Sequence, residues 1–258
     1  MRRIRFRDPA GTVRTGRLED GKAVFADRAY DLDAVDVLPP TEPSKIVCVG
    51  LNYAEHAEET DSELPERPLL FLKTPNTLAA HGDTVTLPEG KERVDYEAEM
   101  GIVIGEQCRN VAAEDAMDVV AGYTCVNDLS NRDDQRSEQN WVRGKSFDNA
   151  APVGPVVANP EHVADDAAIE LRVNGETRQS NALDDLIFSV PELIAEITDL
   201  MTLEPGDIVA TGTPAGVGPL SDGDTVEVEI EGVGTLQHDV VAGDTGAEDG
   251  EADFVPDL

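Results

Sequence analysis

Apolar residues recur along this chain in short blocks, mostly with the period of two that marks strands. The stretch RVDYEAEMGIVIG (93–105) shows it best, because Val94, Tyr96, Ala98, Met100, Ile102 and Ile104 share one face. KIVCVG (45–50) and PLLFLK (68–73) are continuous apolar runs, the pattern of buried strands. AMDVVAGYTCVNDLS (116–130) predicts another strand, ending near Asn127 and Asp128. PGDIVATGTP (205–214) reads as a strand running into a Gly/Pro loop. AIELRVNGETRQS (168–180) predicts a hairpin turning at Asn174-Gly175, and DTVEVEIEGVGTLQHDVV (224–241) a closing hairpin. Helix signals are few. Ser189-Val190-Pro191-Glu192 is a capping box that opens a helix to about Met201. LNYAEHAEET (51–60) reads as a short polar helix or lid.

The order of these elements sets the organisation. Residues 1–43 form a small β unit with a Pro-rich linker, VLPPTEPS. Residues 44–258 form the main body, whose acidic tail GDTGAEDGEADFVPDL is expected to fray. There is no internal repeat. The class is β-rich α+β.

Charge narrows the function. Lys plus Arg number 20 against 53 Asp plus Glu, a net charge of −33. Nucleic acid and anionic membrane surfaces are excluded as partners, since both need a field of basic residues. Hydrophobic residues still make up 40%, enough for a core rather than disorder. Only five lysines remain (Lys22, Lys45, Lys73, Lys91, Lys145) against 15 arginines, a balance that suggests a salt-adapted, halophilic protein. Three cysteines without paired spacing imply no disulfide framework and no zinc ribbon. MRRIRF lacks the apolar stretch of a signal peptide, and no apolar run nears the ~18 residues of a membrane span. A cytoplasmic location is therefore expected.

Candidate chemistry gathers at five places. Glu97 and Glu99 stand two apart on a strand, so both carboxylates leave the same face, opposite the apolar one. Composition alone supplies about eleven acid-x-acid pairs, so spacing means little by itself. The setting means more, because these acids interrupt an otherwise buried strand. Such a pair suits a hard divalent cation. Asp128, at another strand's exit, offers a third oxygen. Beside it Arg132 and Gln135 lie in a locally charge-balanced stretch where an anion can approach. Arg143-Gly144-Lys145-Ser146 lacks the upstream glycines of a phosphate loop, but Lys145 beside a metal would stabilise an oxyanion. Lys73 ends a buried strand as a second scarce cation. His56 and Glu59 are neighbours on one helical face, an arrangement for activating water. The loop Thr211–Gly218 exposes backbone N–H groups suited to a carboxylate.

Taken jointly, GLNYAEHAEE, PLLFLKTPNT, VDYEAEMGIVIG, AGYTCVNDLSNRDDQ, RGKSFDNAAPVGP and LEPGDIVATGTPAGVG resemble the fumarylacetoacetate hydrolase family. They occur in the family's order and cover about residues 44–240. The resemblance implies a mixed β-sandwich roll with the site at its open end, usually in a homodimer. It implies Glu97, Glu99 and Asp128 as ligands of Mg²⁺, with Mn²⁺ or Ca²⁺ able to substitute. It places Lys145 and Gln135 on the substrate's oxygens with Arg132 nearby, Thr213 and Gly212 on its carboxylate, and His56 with Glu59 on a mobile lid. Lys73 is carried as a further substrate contact. The activity implied is hydrolysis, decarboxylation or isomerisation of small anionic 2-oxo or 1,3-dioxo acids through a metal-stabilised enolate. A dehydratase of 2-keto-3-deoxy sugar acids and a non-enzymatic cation-binding protein are the competing readings.

Overall fold

A computed structural model describes residues 1–243. The acidic tail singled out above lies, except for Gly243, outside the described residues.

The apolar blocks assemble into one large mixed sheet and a smaller one packed on it. In spatial order the large sheet runs Arg28–Asp31, Lys22–Phe25, Val13–Glu19, Arg2–Arg7, Ala151–Ala158, Val120–Asn127, Ala98–Ile104, Ile208–Ala210, Ile46–Gly50 and Leu69–Lys73. Neighbours along this path are antiparallel except Ile208–Ala210 and Ile46–Gly50, which pair parallel. The second sheet orders Glu176–Ala182, Ala168–Val173, Thr225–Ile230, Gly234–Val241 and Thr84–Thr86. Its strands Thr225–Ile230 and Gly234–Val241 pack against Val120–Asn127 and Gly234–Val241 also against Ala151–Ala158. Ile102, Val156, Leu171, Val228 and Leu236 share the resulting core. Ile46, Cys48, Val103, Val126, Val153 and Ile208 fill a second apolar layer. Full burial of such side chains stabilises by about 1.5–3 kcal/mol each relative to exposure.

That second layer changes the reading of 93–105. Every residue of Ala98–Ile104 is buried, so both faces of this strand are covered. The run is also broken. Val94–Tyr96 leaves the large sheet and pairs with Ser130–Asn131 and Gly218–Pro219 in a three-stranded ribbon. Glu97 sits at the break, where its N–H goes to a side chain instead of a ladder partner.

The N-terminal β unit continues the large sheet. Arg2, Arg3 and Ile4 pair with Ala158, Val157 and Val156, and Ile4 and Phe6 are fully buried. The linker behind it is fastened by Asp207, which accepts from the N–H groups of Ser44 and Lys45 and from Lys45 Nζ. The expected turn and cap both form. Asn174 and Gly175 take φ of 54° and 78°, the left-handed pair that a type I′ turn needs. The capping box at Ser189 starts helix Val190–Leu200, which buries Leu193, Ile194 and Ile197. Among the described residues no helix is long and apolar enough to cross a membrane.

Candidate active site

Antiparallel register brings the acids together. Ala98, at the start of one strand, lies opposite Asn127, at the end of its neighbour. Glu97 and Glu99 therefore meet Asp128, and one carboxylate oxygen from each lies within 4.8 Å of the others. All three are nearly inaccessible, at 4%, 2% and 0% exposure. Three buried anions so close repel one another, and the surroundings answer with cations. Lys145 Nζ donates to Glu97 Oε2 and to Asp128 Oδ2, both at 2.7 Å. Arg132 donates to Glu97 Oε1 at 2.5 Å and to Asp95 Oδ2 at 2.8 Å. Lys145 also lies 4.7 Å from the centre of the Phe71 ring.

The protonation states follow. Burial opposes the charge on Glu97, but Lys145 and Arg132 outweigh it and hold the carboxyl below the usual range. Glu99 goes the other way. Burial, then the charges of Asp128 and Glu97, push it well above the usual range. Lys145 remains a firm cation, since Asp128 and Glu97 overcome its burial. This donor set fits a hard divalent cation. Glu99 is driven to hold a proton that such an ion would displace. Asp128 Oδ1 is buried with the Lys73 ammonium 2.7 Å away and no other polar partner among the described residues, which leaves it a lone pair for an ion.

The triad floors a cavity of about 290 Å³ that also exposes His56, Arg132, Gln135, Lys145 and Thr213. His56 reaches it from helix Ala54–Glu59 and is itself buried. Its Nδ1 lies 3.1 Å from Glu59 Oε2. Glu59 also accepts from the Gly216 N–H at 3.1 and 3.2 Å, so the dyad latches its helix to the Gly-rich loop. The helix root is pinned by Asn52, whose side chain bonds Phe188 and Thr211 backbone groups. A larger cavity, about 440 Å³ between Met117, Tyr123, Leu183 and Pro191, is mostly apolar and lined by no Lys, Arg or His.

Residues 45–241 match the family described as fumarylacetoacetate (FAA) hydrolase, C-terminal. This chain belongs to the fumarylacetoacetate hydrolase family. An uncharacterized protein of Archaeoglobus fulgidus is 47% identical over 233 residues, 90% of this chain and 93% of that one. The oxaloacetate tautomerase YisK of Bacillus subtilis is 43% identical over 225 residues, 82% of this chain and 75% of that one. The crystal structure of a 5-carboxymethyl-2-hydroxymuconate delta-isomerase from Mycobacterium smegmatis matches with a TM-score of 0.86 at 38% identity. That match covers 94% of this chain and 99% of that one. The chain is thus an enzyme of the fumarylacetoacetate hydrolase family, sharing the fold of its structural neighbours.

Within this family member, two residues expected to meet substrate are otherwise engaged. Lys73 is fully buried and does not line the cavity. Its ammonium donates to the carbonyls of Leu129 and Ala150 at 3.0 and 2.7 Å and backs Asp128 from behind. Leu69–Lys73 is not the buried strand expected: it is the edge of the large sheet, with Leu69 and Leu72 exposed and only Lys73 buried, so the ammonium serves the carboxylate beside it. Gly212 donates its N–H to Glu99 Oε2 at 2.9 Å, and that N–H is spent. Its φ of 94° and a Cβ position 2.8 Å from Asn52 Cβ explain the glycine. Thr213 does line the cavity and accepts from Gln179 Nε2 at 2.8 Å. Gln135 lines it too, with Oε1 accepting from Arg132 Nη1 at 2.7 Å.

Other contributors carried no signal in the sequence. Asp95 holds Arg132, and Ser130 Oγ donates to Glu97 Oε2 at 3.0 Å. Gln179, from the second sheet, accepts from the Ala98 N–H at 2.9 Å. Trp141 lines the cavity with its ring edge-on to Phe71. His238 is buried against Asn127. The packing of the second sheet brings in Gln179 and His238, while Asp95 and Ser130 come from the three-stranded ribbon.

Proposed function

We propose that this enzyme acts on small 2-oxo or 1,3-dioxo carboxylic acids through an enolate, at a site where Glu97, Glu99 and Asp128 hold Mg²⁺, with Mn²⁺ or Ca²⁺ able to replace it. The observation that carries the proposal is the buried triad facing a cavity beside a doubly anchored lysine. Bound there, the ion would supply Lewis acidity to the substrate's 2-oxo and carboxylate oxygens.

The protein's own residues account for the rest. Lys145 has three N–H donors and spends two on Glu97 and Asp128, which leaves one for the oxygen that gains charge. Its fixed positive charge needs no proton transfer to act. Thr213 and Gln135 flank the cavity as partners for the substrate carboxylate. Arg132 is committed to Asp95, Glu97 and Gln135, so it orients these groups and adds positive field. Glu59 at Nδ1 holds His56 with its proton there and the Nε2 lone pair available. His56 can then take a proton from water, or from carbon in a pure isomerisation.

Water activation favours hydrolysis of a C–C bond in acylpyruvate-like acids: the water oxygen attacks the distal carbonyl, the bond breaks, and the enolate leaves against Lys145. A second reading, tautomerisation or decarboxylation of oxaloacetate-like acids, is supported by the likeness to a tautomerase. It uses the same enolate without water. Acetylpyruvate, oxaloacetate and 2-keto-3-deoxy-pentonate should be assayed after EDTA treatment, with and without added Mg²⁺. Mg²⁺-dependent turnover of either of the first two is expected. Turnover of the sugar acid alone would replace this proposal with a dehydratase. His56→Ala is expected to cut hydrolysis about 10²–10⁴-fold while sparing decarboxylation. Equal losses would remove the water-activating role.

A further inference from the structure

A hydrogen-bonded chain runs from the second sheet into the metal centre. It starts at His238 on strand Gly234–Val241, which is 1% exposed. Its Nε2 lies 2.9 Å from Asn127 Nδ2, and Asn127 is fully buried. Asn127 Oδ1 in turn accepts from the Glu97 N–H at 2.9 Å. Glu97 occupies the break between two strands, so this N–H has no ladder partner. Its carbonyl accepts from the Asp128 N–H at 2.8 Å.

The direction of each bond is forced. A backbone N–H can only donate, so Asn127 must present Oδ1 to Glu97. Its NH₂ then faces His238, and Nε2 must accept. The imidazole proton is therefore on Nδ1, toward the Asp239 carbonyl at 3.4 Å. Any rearrangement at His238 that puts a donor on Nε2 would set two donors face to face. The Asn127 amide would have to flip and turn its NH₂ on the Glu97 N–H. Burial in an apolar setting keeps the ring neutral, with only the Asp239 carboxylate and carbonyl opposing it.

We propose that His238 is a positioning residue which, through Asn127, fixes the backbone at Glu97 and thereby the placing of two ligands, Glu97 and Asp128. The inference rests on the metal-binding reading above. It says that the neutral Nδ1–H tautomer of a residue on the opposite sheet sets metal affinity without touching metal or substrate.

The test is Mn²⁺ binding by calorimetry on the whole protein and on Glu99→Gln, His238→Leu and His238→Gln. Loss of outer partners of metal ligands typically weakens binding 10–100-fold. His238→Leu, which fills the space without an acceptor, is expected to raise the Mn²⁺ dissociation constant by roughly that factor. His238→Gln, whose Oε1 can accept from Asn127, is expected to restore most of it. Equal affinity in His238→Leu and the unsubstituted protein, with Glu99→Gln losing Mn²⁺, would overturn this proposal alone. Equal weakening in both His238 variants would also overturn it, because volume rather than the acceptor would then matter. No Mn²⁺ uptake by the unsubstituted protein, or uptake unchanged in Glu99→Gln, would remove the metal reading and this proposal together. Nitrogen-15 NMR of His238 in the unsubstituted protein gives a separate check that needs no variant to fold: the proton is expected on Nδ1, and a proton on Nε2 would overturn the chain.

Discussion

Lys145 and Lys73 both touch Asp128, yet they do different work because only one of them meets the cavity. Removing Lys145 leaves the carboxylates of Glu97 and Asp128 less compensated, which favours a divalent cation in its place. Lys145→Ala is therefore expected to abolish turnover while Mn²⁺ binding persists, as calorimetry and a rate assay would show together. Loss of Mn²⁺ in that variant would make Lys145 a structural support instead. His238 supplies a pH prediction. Burial lowers its pKa to about 4 from an ordinary value of 6.5. Above pH 6.5 neither folded nor unfolded chain carries the charge, and the full stability is present. As pH falls from 6.5 toward 4 the unfolded imidazole takes a proton that the folded one refuses, so stability drops by up to about 3 kcal/mol. Urea melts between pH 7.5 and 4.5 should show a shallower decline for His238→Gln than for the unsubstituted protein. Parallel declines would mean that the imidazole is not held neutral.

At the scale of elements, the sequence was most legible where a signal is local. The hairpin at Asn174-Gly175 and the capping box at Ser189 need only neighbouring residues, and both form. Ser189 Oγ and N–H both bond the Glu192 carboxylate. Ser189→Ala is expected to cost about 1 kcal/mol, within the 0.5–2 kcal/mol typical of N-caps, with turnover unchanged. Thermal melts and rates together check this, and a loss of turnover at full stability would contradict it. The strand 93–105 was legible as a strand but not as two. Its break at Glu97 depends on Asn127, 30 positions away. A period-two pattern also reports one buried face. It could not show that a second apolar layer covers the other face and turns Glu99 from a half-exposed acid into a buried one.

For the whole molecule, a net charge of −33 means long-range self-repulsion that salt screens. The melting temperature is expected to rise from about 0.05 M to about 1 M NaCl, where the Debye length shrinks to about 3 Å. A flat salt response would show that the charges are already compensated locally. If the proposed function holds, substrate capture over the same range is expected to depend on short contacts with Lys145, Thr213 and Gln135. The sequence by itself determined the strand-rich class, the hairpins, the helix start and, through six motifs in family order, the charged residues that line the cavity. It could do so because periodicity, turn chemistry and motif order are written in adjacent residues. Tertiary structure alone decided the partners. It placed Lys73 behind Asp128, spent the Gly212 N–H on Glu99, and linked His238 to Asn127 across 111 positions. Those choices depend on which strands become neighbours and which sheet covers them, and a buried polar group takes whatever partner that packing supplies.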